Sequence, residues 1–444
     1  MGWNGLERNK LDYILTDLLP VELSELFSFR PFYDFLLKKN NQTILLEMIE
    51  DTKRARAAGK ELFNSSWSTT PMKYNIMKGH DSTREMSLVQ PLSAINILIF
   101  MECFQKDVLQ FFEKKRCYSL RYHKKNTGLY YKARTKQGTA YFHKQSKRAG
   151  IAAVQQTGSY FKITPFESIN SFADSRIWRM SNFHFGYYAK MDYKSCFDSI
   201  YTHAYKWIIE RNVVDSKNAE NSNLFIAIDR ILQNINGRSS NGLLVGPEFS
   251  RMIAEIILQQ IDSEVHLSLS ADNLRKDVDY TAFRYVDDVF IFAKSPEALD
   301  TIIGKFRTHG EKYLLRLNDM KLTKGETPCV PKNWLSRTRV LSDEIDNIFL
   351  NKKKTKYDAL PEGERYIVKS EFIKVDRLKD EITLAMKNYP DDRRTIVSFL
   401  LSTLLNNIGK KKLGYTLFDN GKTGKSMLLL DLALFIYSFY PNLI

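Results

Sequence analysis

The chain has 444 residues, 43% of them hydrophobic and 26% charged, with 66 Lys and Arg against 51 Asp and Glu; that makeup excludes a disordered chain and suits about two or three globular domains. The four cysteines, Cys103, Cys117, Cys196 and Cys329, form no CxxC pair, which excludes a disulfide framework or a zinc ribbon and points to a reducing, cytoplasmic setting. Charges stand near the N-terminus where a secretory leader needs an apolar run, and the longest apolar stretch, MLLLDLALFIYSFY, is interrupted by Asp431, so neither a secreted nor a membrane-spanning protein is expected.

Residues 1 to about 113 read mainly as helices, because LDYILTDLLPVELSELF and AINILIFMECFQKDVLQFFEKK space their apolar residues by threes and fours. From Lys114 to Phe166 the character changes. That segment has no Asp or Glu and 13 Lys or Arg, among them Arg121, Lys124, Lys125, Lys132, Arg134, Lys144, Lys147 and Arg148. Without it the formal charge of +15 falls to 53 cations against 51 anions, or +2. Nine aromatics are interleaved with these cations, and GLYYKA and GTAYFHK read as short strands. Cations beside rings suit a nucleic-acid surface; the plainer reading is a solvated basic face.

From Phe185 the pattern alternates. FGYYAKMDY reads as a strand, HAYKWIIERNVV and NLFIAIDRILQNI as helices, and GPEFSRMIAEIILQQIDSEV as a helix opened by Gly246 and Pro247. AFRYVDDVFIFAK reads as a hairpin, SPEALDTIIGKFRTHGEKYLLRL as a helix capped by Ser295, and LNDMKLTKGE as a turn and strand. A polar connection near Asn351 leads to helices that continue to the end of the chain. GKTGKS (421–426) ends like a phosphate loop, but Asp419 occupies the place of its first Gly, so it reads as a polar loop before the last helix.

Two acidic clusters could do chemistry. Asp192 ends a predicted strand in MDYKSCFDSI, and Asp287 and Asp288 sit in the tight connection of RYVDDVFIF. If the two strands are neighbours, three carboxylates meet and repel one another unless a cation lies between them. Hard oxygen ligands suit magnesium, and two such ions about 4 Å apart would clamp the attacking and leaving oxygens of a phosphoryl transfer. The plainer reading makes Asp-Asp ordinary turn chemistry and Asp192 a cap.

RYVDD (284–288) resembles the central signature of reverse transcriptases, and the segment from Asp192 to Ile200 resembles their first palm motif. NGLLVGPEFSRMIAEIIL resembles the third, and LNDMKLTK the segment that brings a Lys toward the nucleotide, all in the family's order over about residues 185 to 325. The resemblance implies an α+β right-hand polymerase. It would have a helical N-terminal region with basic fingers (1–184), a palm with an antiparallel sheet and helices (185–345), and an all-α C-terminal domain (346–444). It implies two Mg2+ ions, for which Mn2+ could substitute, held by Asp192, Asp287, Asp288 and the Tyr193 carbonyl, with catalysis by the three aspartates and Lys321. Lys324 is the rival to Lys321. Phe197, five residues after Asp192, would exclude a 2′-hydroxyl; Gly246 and Ser250 would floor the nascent pair, and Arg121 would hold the triphosphate. Lys124, Lys125, Lys132, Arg134, Lys144, Lys147 and Arg148 would bind nucleic acid.

The implied partners are RNA, as template or structured noncoding RNA, DNA product and deoxynucleoside triphosphates. No membrane is implied, and a homo-oligomer is compatible. The third motif has Leu244, Val245 and Gly246 where many family members have Pro-Gln-Gly, and Arg251 where group II intron and retron enzymes commonly have Pro. With the helical C-terminal region, this most resembles the bacterial defence-associated and abortive-infection group, which implies antiphage defence. The alternatives are an RNA-dependent RNA polymerase with the same palm, a template-independent DNA polymerase, and a non-catalytic RNA-binding scaffold.

Overall fold

The computed structural model describes residues 10–20, 29–63, 68–77, 82–125, 160–210, 222–329, 333–351, 366–368, 372–410 and 423–441. Contacts divide the chain into two compact units, Met1–Tyr74 with Glu85–Cys329, and Asn75–Arg84 with Val330–Ile444.

The larger unit opens with helices Asp12–Thr16, Arg30–Leu36 and Lys39–Ala57. Strands β1 (Met72–Met77) and β2 (Thr83–Leu88), whose residues are divided between the two units, then pair in a stretch where the sequence predicts helices. Most of their side chains are exposed or half-buried, so neither strand carries the strict apolar alternation that betrays a half-buried strand. The long helix Pro91–Lys115 follows, with Pro at its start and two lysines in its last turn, where they suit the helix dipole. Strands β3 (Arg121–Lys124) and β4 (Lys162–Pro165) pair antiparallel and set Lys124 opposite Lys162. The predicted strands GLYYKA and GTAYFHK lie outside the described residues.

A four-stranded antiparallel sheet in the order β6-β7-β5-β8 is built from β5 (Tyr187–Met191), β6 (Tyr280–Tyr285), β7 (Asp288–Ala293) and β8 (Thr323–Glu326). Along β7, Val289, Ile291 and Ala293 join the main core, which includes Ile256 and Ile257 of helix Glu248–Ala271 and Ile302 and Phe306 of helix Pro296–Lys312. The intervening Phe290 and Phe292 join a separate aromatic cluster with Phe172 and Trp178. Helices Ile169–Ala173 and Arg176–His184, which the sequence left unassigned, bring Phe172 and Trp178 there. Trp178 meets Phe290 and Phe292 edge-on, at 5.5 and 5.2 Å between ring centroids. Both faces of β7 are thus dry, which explains its unbroken apolar sequence VFIFA.

Helix Glu248–Ala271 begins after Gly246 and Pro247 and runs six residues beyond the predicted Val265. Ser295 caps helix Pro296–Lys312 by accepting from the Ala298 N–H at 3.2 Å. The smaller unit is helical: Asn333–Ile348, Phe372–Asn388, Arg393–Lys410 and Thr423–Ser438 bury Leu341, Ile382, Leu400 and Leu432 in a core of their own. One short antiparallel pair is added, β9 (Phe349–Asn351) with β10 (Tyr366–Val368). The last helix starts at Thr423, so the end of GKTGKS belongs to its first turn. Among the described residues no helix is long and apolar enough to cross a membrane.

Candidate active site

Asp192 leaves the end of β5, whose neighbour is β7, and the register pairs Met191 with Val289. One step further along that register Asp192 faces Asp288, the first residue of β7. The connection between β6 and β7 is two residues, Val286 and Asp287, closed by the Tyr285–Asp288 pair. Val286 has a φ of +57°, a left-handed conformation that a β-branched residue rarely adopts. Sequence and sheet thus bring the two acidic clusters to one end of adjacent strands.

Burial works against ionisation of both Asp287 and Asp288. Burial and the Asp288 charge hold the Asp287 carboxyl above the usual carboxylate range. Burial also lifts that of Asp288, against the pull of Lys190, whose ammonium is 3.8 Å away. Asp192 is 8% exposed, and its Oδ1 is buried with no hydrogen-bond partner. Its Oδ2 accepts from Lys321 Nζ at 2.6 Å. Among the described residues no three His, Cys, Asp or Glu side chains form a ready-made metal cage. An orphaned buried carboxylate oxygen beside two carboxyls that repel one another nevertheless fits a divalent cation.

Lys321 reaches Asp192 because the chain after helix Pro296–Lys312 returns alongside the first motif. Lys194 N–H donates to Arg316 O at 2.8 Å and Asn318 N–H to Asp192 O at 2.9 Å, with Tyr193 and Leu317 bridged between them. The rival Lys324 points elsewhere, in an exposed ion pair with Asp300. Tyr193 has a buried side chain. After it, Ser195 turns at φ +46° into the short helix Cys196–Ser199, which carries Phe197 half-buried beside the core. Phe197 O accepts from Leu243 N–H at 2.8 Å, tying the first motif to the third.

Gly246 has φ +128°, and a Cβ there would lie 2.6 Å from Pro20 Cγ and 3.2 Å from Met86 Cε, so only glycine fits. The close approach is to this chain's own Pro20 and Met86. Ser250 is fully buried and its Oγ has no partner. Arg121, expected at the triphosphate, is 8% exposed and its Nη1 sits 2.7 Å from Glu248. Glu248 also meets His123 Nε2 at 2.9 Å and Arg251 Nη1 at 3.1 Å. Though its burial opposes ionisation, Arg121 and His123 hold its carboxyl well below the usual range. Lys124 is half-buried and Lys125 exposed; Lys132, Arg134, Lys144, Lys147 and Arg148 lie outside the described residues.

The sequence reading missed the support behind the turn. Arg284 of RYVDD is fully buried. Its Nε donates to Asp262 at 2.9 Å, its Nη1 and Nη2 to Glu255 at 2.9 Å each, and Nη1 also to Val286 O at 2.8 Å. Ser119 Oγ–H and Gln259 Nε2–H donate to Glu255 as well. Burial pushes the Asp262 carboxyl up to about 6 even against Arg284. The available signal was acidic residues at 248, 255 and 262, seven apart and therefore on one face of the predicted helix.

Comparison with known proteins bears on the same region. The family model described as reverse transcriptase (RNA-dependent DNA polymerase) matches residues 161–357. That match covers 197 of the chain's 444 residues and supports a nucleotidyltransferase of the reverse transcriptase type over them. No curated protein matches the chain. Similar solved structures include apo telomerase from Candida tropicalis truncated from its C-terminal domain, at 17% identity and TM-score 0.34, covering 66% of this chain and 56% of that one. Telomerase from Candida albicans in complex with a fragment of telomeric RNA is 11% identical at TM-score 0.33, covering 89% and 66%. Apo telomerase from Candida tropicalis is 13% identical at TM-score 0.34, covering 90% and 71%.

Proposed function

We propose that this chain is an RNA-directed DNA polymerase that joins a primer hydroxyl to the α-phosphate of a deoxynucleoside triphosphate. The new bond runs from that oxygen to phosphorus, the α–β phosphoanhydride breaks, and pyrophosphate leaves. The carrying observation is the meeting of Asp192 and the Asp287–Asp288 turn on neighbouring strands, with Lys321 Nζ 2.6 Å from Asp192. Asp192, Asp287, Asp288 and the Tyr193 carbonyl would hold two Mg2+ ions, or Mn2+ in their place, which when bound supply positive charge to the phosphates and both reacting oxygens.

The chain's own groups do the remainder. Lys321 has a side chain 65% exposed, long enough to turn from Asp192 to the departing pyrophosphate and give it a proton or a charge. Phe197 presents a ring where a 2′-hydroxyl would have to fit. Gly246 and Ser250 shape the floor beneath the nascent pair. Lys124 and Lys125, continuing into Lys132, Arg134, Lys144, Lys147 and Arg148, neutralise the phosphates of an RNA template and the DNA product. In domain terms, residues 1–184 serve as fingers and helical support, 185–345 as palm, and 346–444 as a helical domain, thumb-like or built of helical repeats. The setting we infer is the bacterial cytoplasm, in antiphage defence with a structured noncoding RNA; its support is the likeness of the GPEFSRMIAE helix to that group.

The test is incorporation by the purified full chain of labelled deoxy- and ribonucleotides, with and without an RNA template. Templated deoxynucleotide incorporation that disappears in the Asp287→Ala, Asp288→Ala double variant is the expected result. Preference for ribonucleotides would make it an RNA polymerase, incorporation indifferent to template a template-independent DNA polymerase, and activity surviving the double variant would place the chemistry elsewhere. Phe197→Ala should narrow the preference for deoxynucleotides.

A further inference from the structure

Two buried arginines converge on the two residues that precede Asp287. Arg284 donates to the Val286 carbonyl, and the parallel bridge of Ser119 with Arg284, with Leu120 N–H donating to Arg284 O at 2.7 Å, sets Arg121 beside the Tyr285–Val286 segment. Tyr285 Oη–H in turn donates to Glu167 O at 2.7 Å, which ties the side chain down from its far end. Each arginine is anchored on the same helix: Arg284 on Glu255 and Asp262, Arg121 on Glu248. With its side chain 8% exposed and its charge matched by Glu248, Arg121 retains little to offer a triphosphate. Meanwhile the turn beside it contains Val286 at φ +57°, a conformation that persists only where the surroundings over-determine it.

We propose that Arg121 and Glu248 are positioning residues that hold Tyr285, and through it the strained turn carrying Asp287 and Asp288, and that Arg121 does not grip the incoming nucleotide. This rests on the reading of that turn as catalytic. The pair fixes Tyr285 from the β3 side while Arg284 fixes Val286 from behind, so the carboxylates are aimed before substrate arrives.

The experiment compares Arg121→Lys, Glu248→Gln, the double variant and Tyr285→Phe with the wild-type chain. It measures kcat and KM for one deoxynucleoside triphosphate and, without nucleotide, hydrogen exchange of the amides from 285 to 288. Each single variant should lower kcat by about tenfold or more, with KM held within about twofold. The double variant should be no worse than the worse single, because both residues act through one contact. Exchange in the turn should quicken in all of them. A tenfold rise in KM at unchanged kcat for Arg121→Lys, with Glu248→Gln silent, would overturn the proposal and make Arg121 a triphosphate contact. If the Arg121 or Glu248 variants fail to fold, Tyr285→Phe decides: unchanged kcat and unchanged turn exchange would refute the positioning role. If the wild-type chain incorporates no nucleotide, the polymerase reading fails by itself, and the exchange measurements still judge the clamp.

Discussion

Two acidic triads lie within residues 161–357, and they are handled in opposite ways. Glu248, Glu255 and Asp262 are 6, 3 and 0% exposed, and each is met by at least one buried arginine. In the other triad, Asp192 and Asp288 meet lysines reaching in from solvent, and among the described residues no buried arginine pairs with Asp192, Asp287 or Asp288. The chain had the means to neutralise buried carboxylates and used them on one triad alone. Residual like-charge repulsion at the other, on adjacent strand ends, is what gives a cation something to bind.

The contrast can be broken most severely at the open triad. Removing Asp287 and Asp288 together should abolish incorporation by about a thousandfold or more. The same change should raise the melting temperature in chelator, because it relieves charges the fold already disfavours; added Mg2+ should then raise the melting temperature of the wild type and leave the variant's unchanged. At the closed triad the sign reverses: Arg284→Ala strands two buried carboxylates and should cost about 3–5 kcal/mol in denaturant unfolding. Lys321→Ala should lower kcat by about a hundredfold. Lys324→Ala, removing an exposed pair with Asp300, should leave kcat unchanged, and the opposite pattern would exchange their roles.

A subtler effect separates the triads by pH. Asp262 binds its proton more tightly folded, at about 6, than in the unfolded chain. Its contribution is therefore fully present below the unfolded value near 4 and is lost as pH rises through about 6, so stability should fall across that window. Asp262→Asn should flatten the slope. The smallest effect concerns neither triad: neutralising Lys124, Lys125, Lys147 and Arg148 together should lessen the slope of log affinity for duplex nucleic acid against log salt by about one unit per cation lost, and an unchanged slope would leave the block a solvated face.

The open triad was legible in the sequence because its residues sit in two short acidic motifs, one at a strand end and one in a tight turn. Asp192, Asp287 and Lys321 needed only a strand, a turn and a return strand to be placed, and the structure separates Lys321 from Lys324. The closed triad was not legible. Charge counting treats Arg121 as a solvated cation of the basic block, whereas its partner Glu248 lies more than a hundred residues further along the chain. Likewise β1 and β2 are too polar to announce themselves, and helices Ile169–Ala173 and Arg176–His184 are defined by tertiary packing of Phe172 and Trp178 against β7. Local pattern carries local chemistry; the pairing of distant charges is a property of the folded chain.

The aromatic layer behind β7 bears on how this domain can change over time. With Val289, Ile291 and Ala293 enclosed on one side and Phe290 and Phe292 on the other, no side chain in the body of that strand is free to acquire a polar duty. In a library of random substitutions, VFIFA should accept only apolar exchanges of similar volume. Variation is therefore pushed to the strand ends and the loops beyond them, where side chains can change while the platform beneath stays the same.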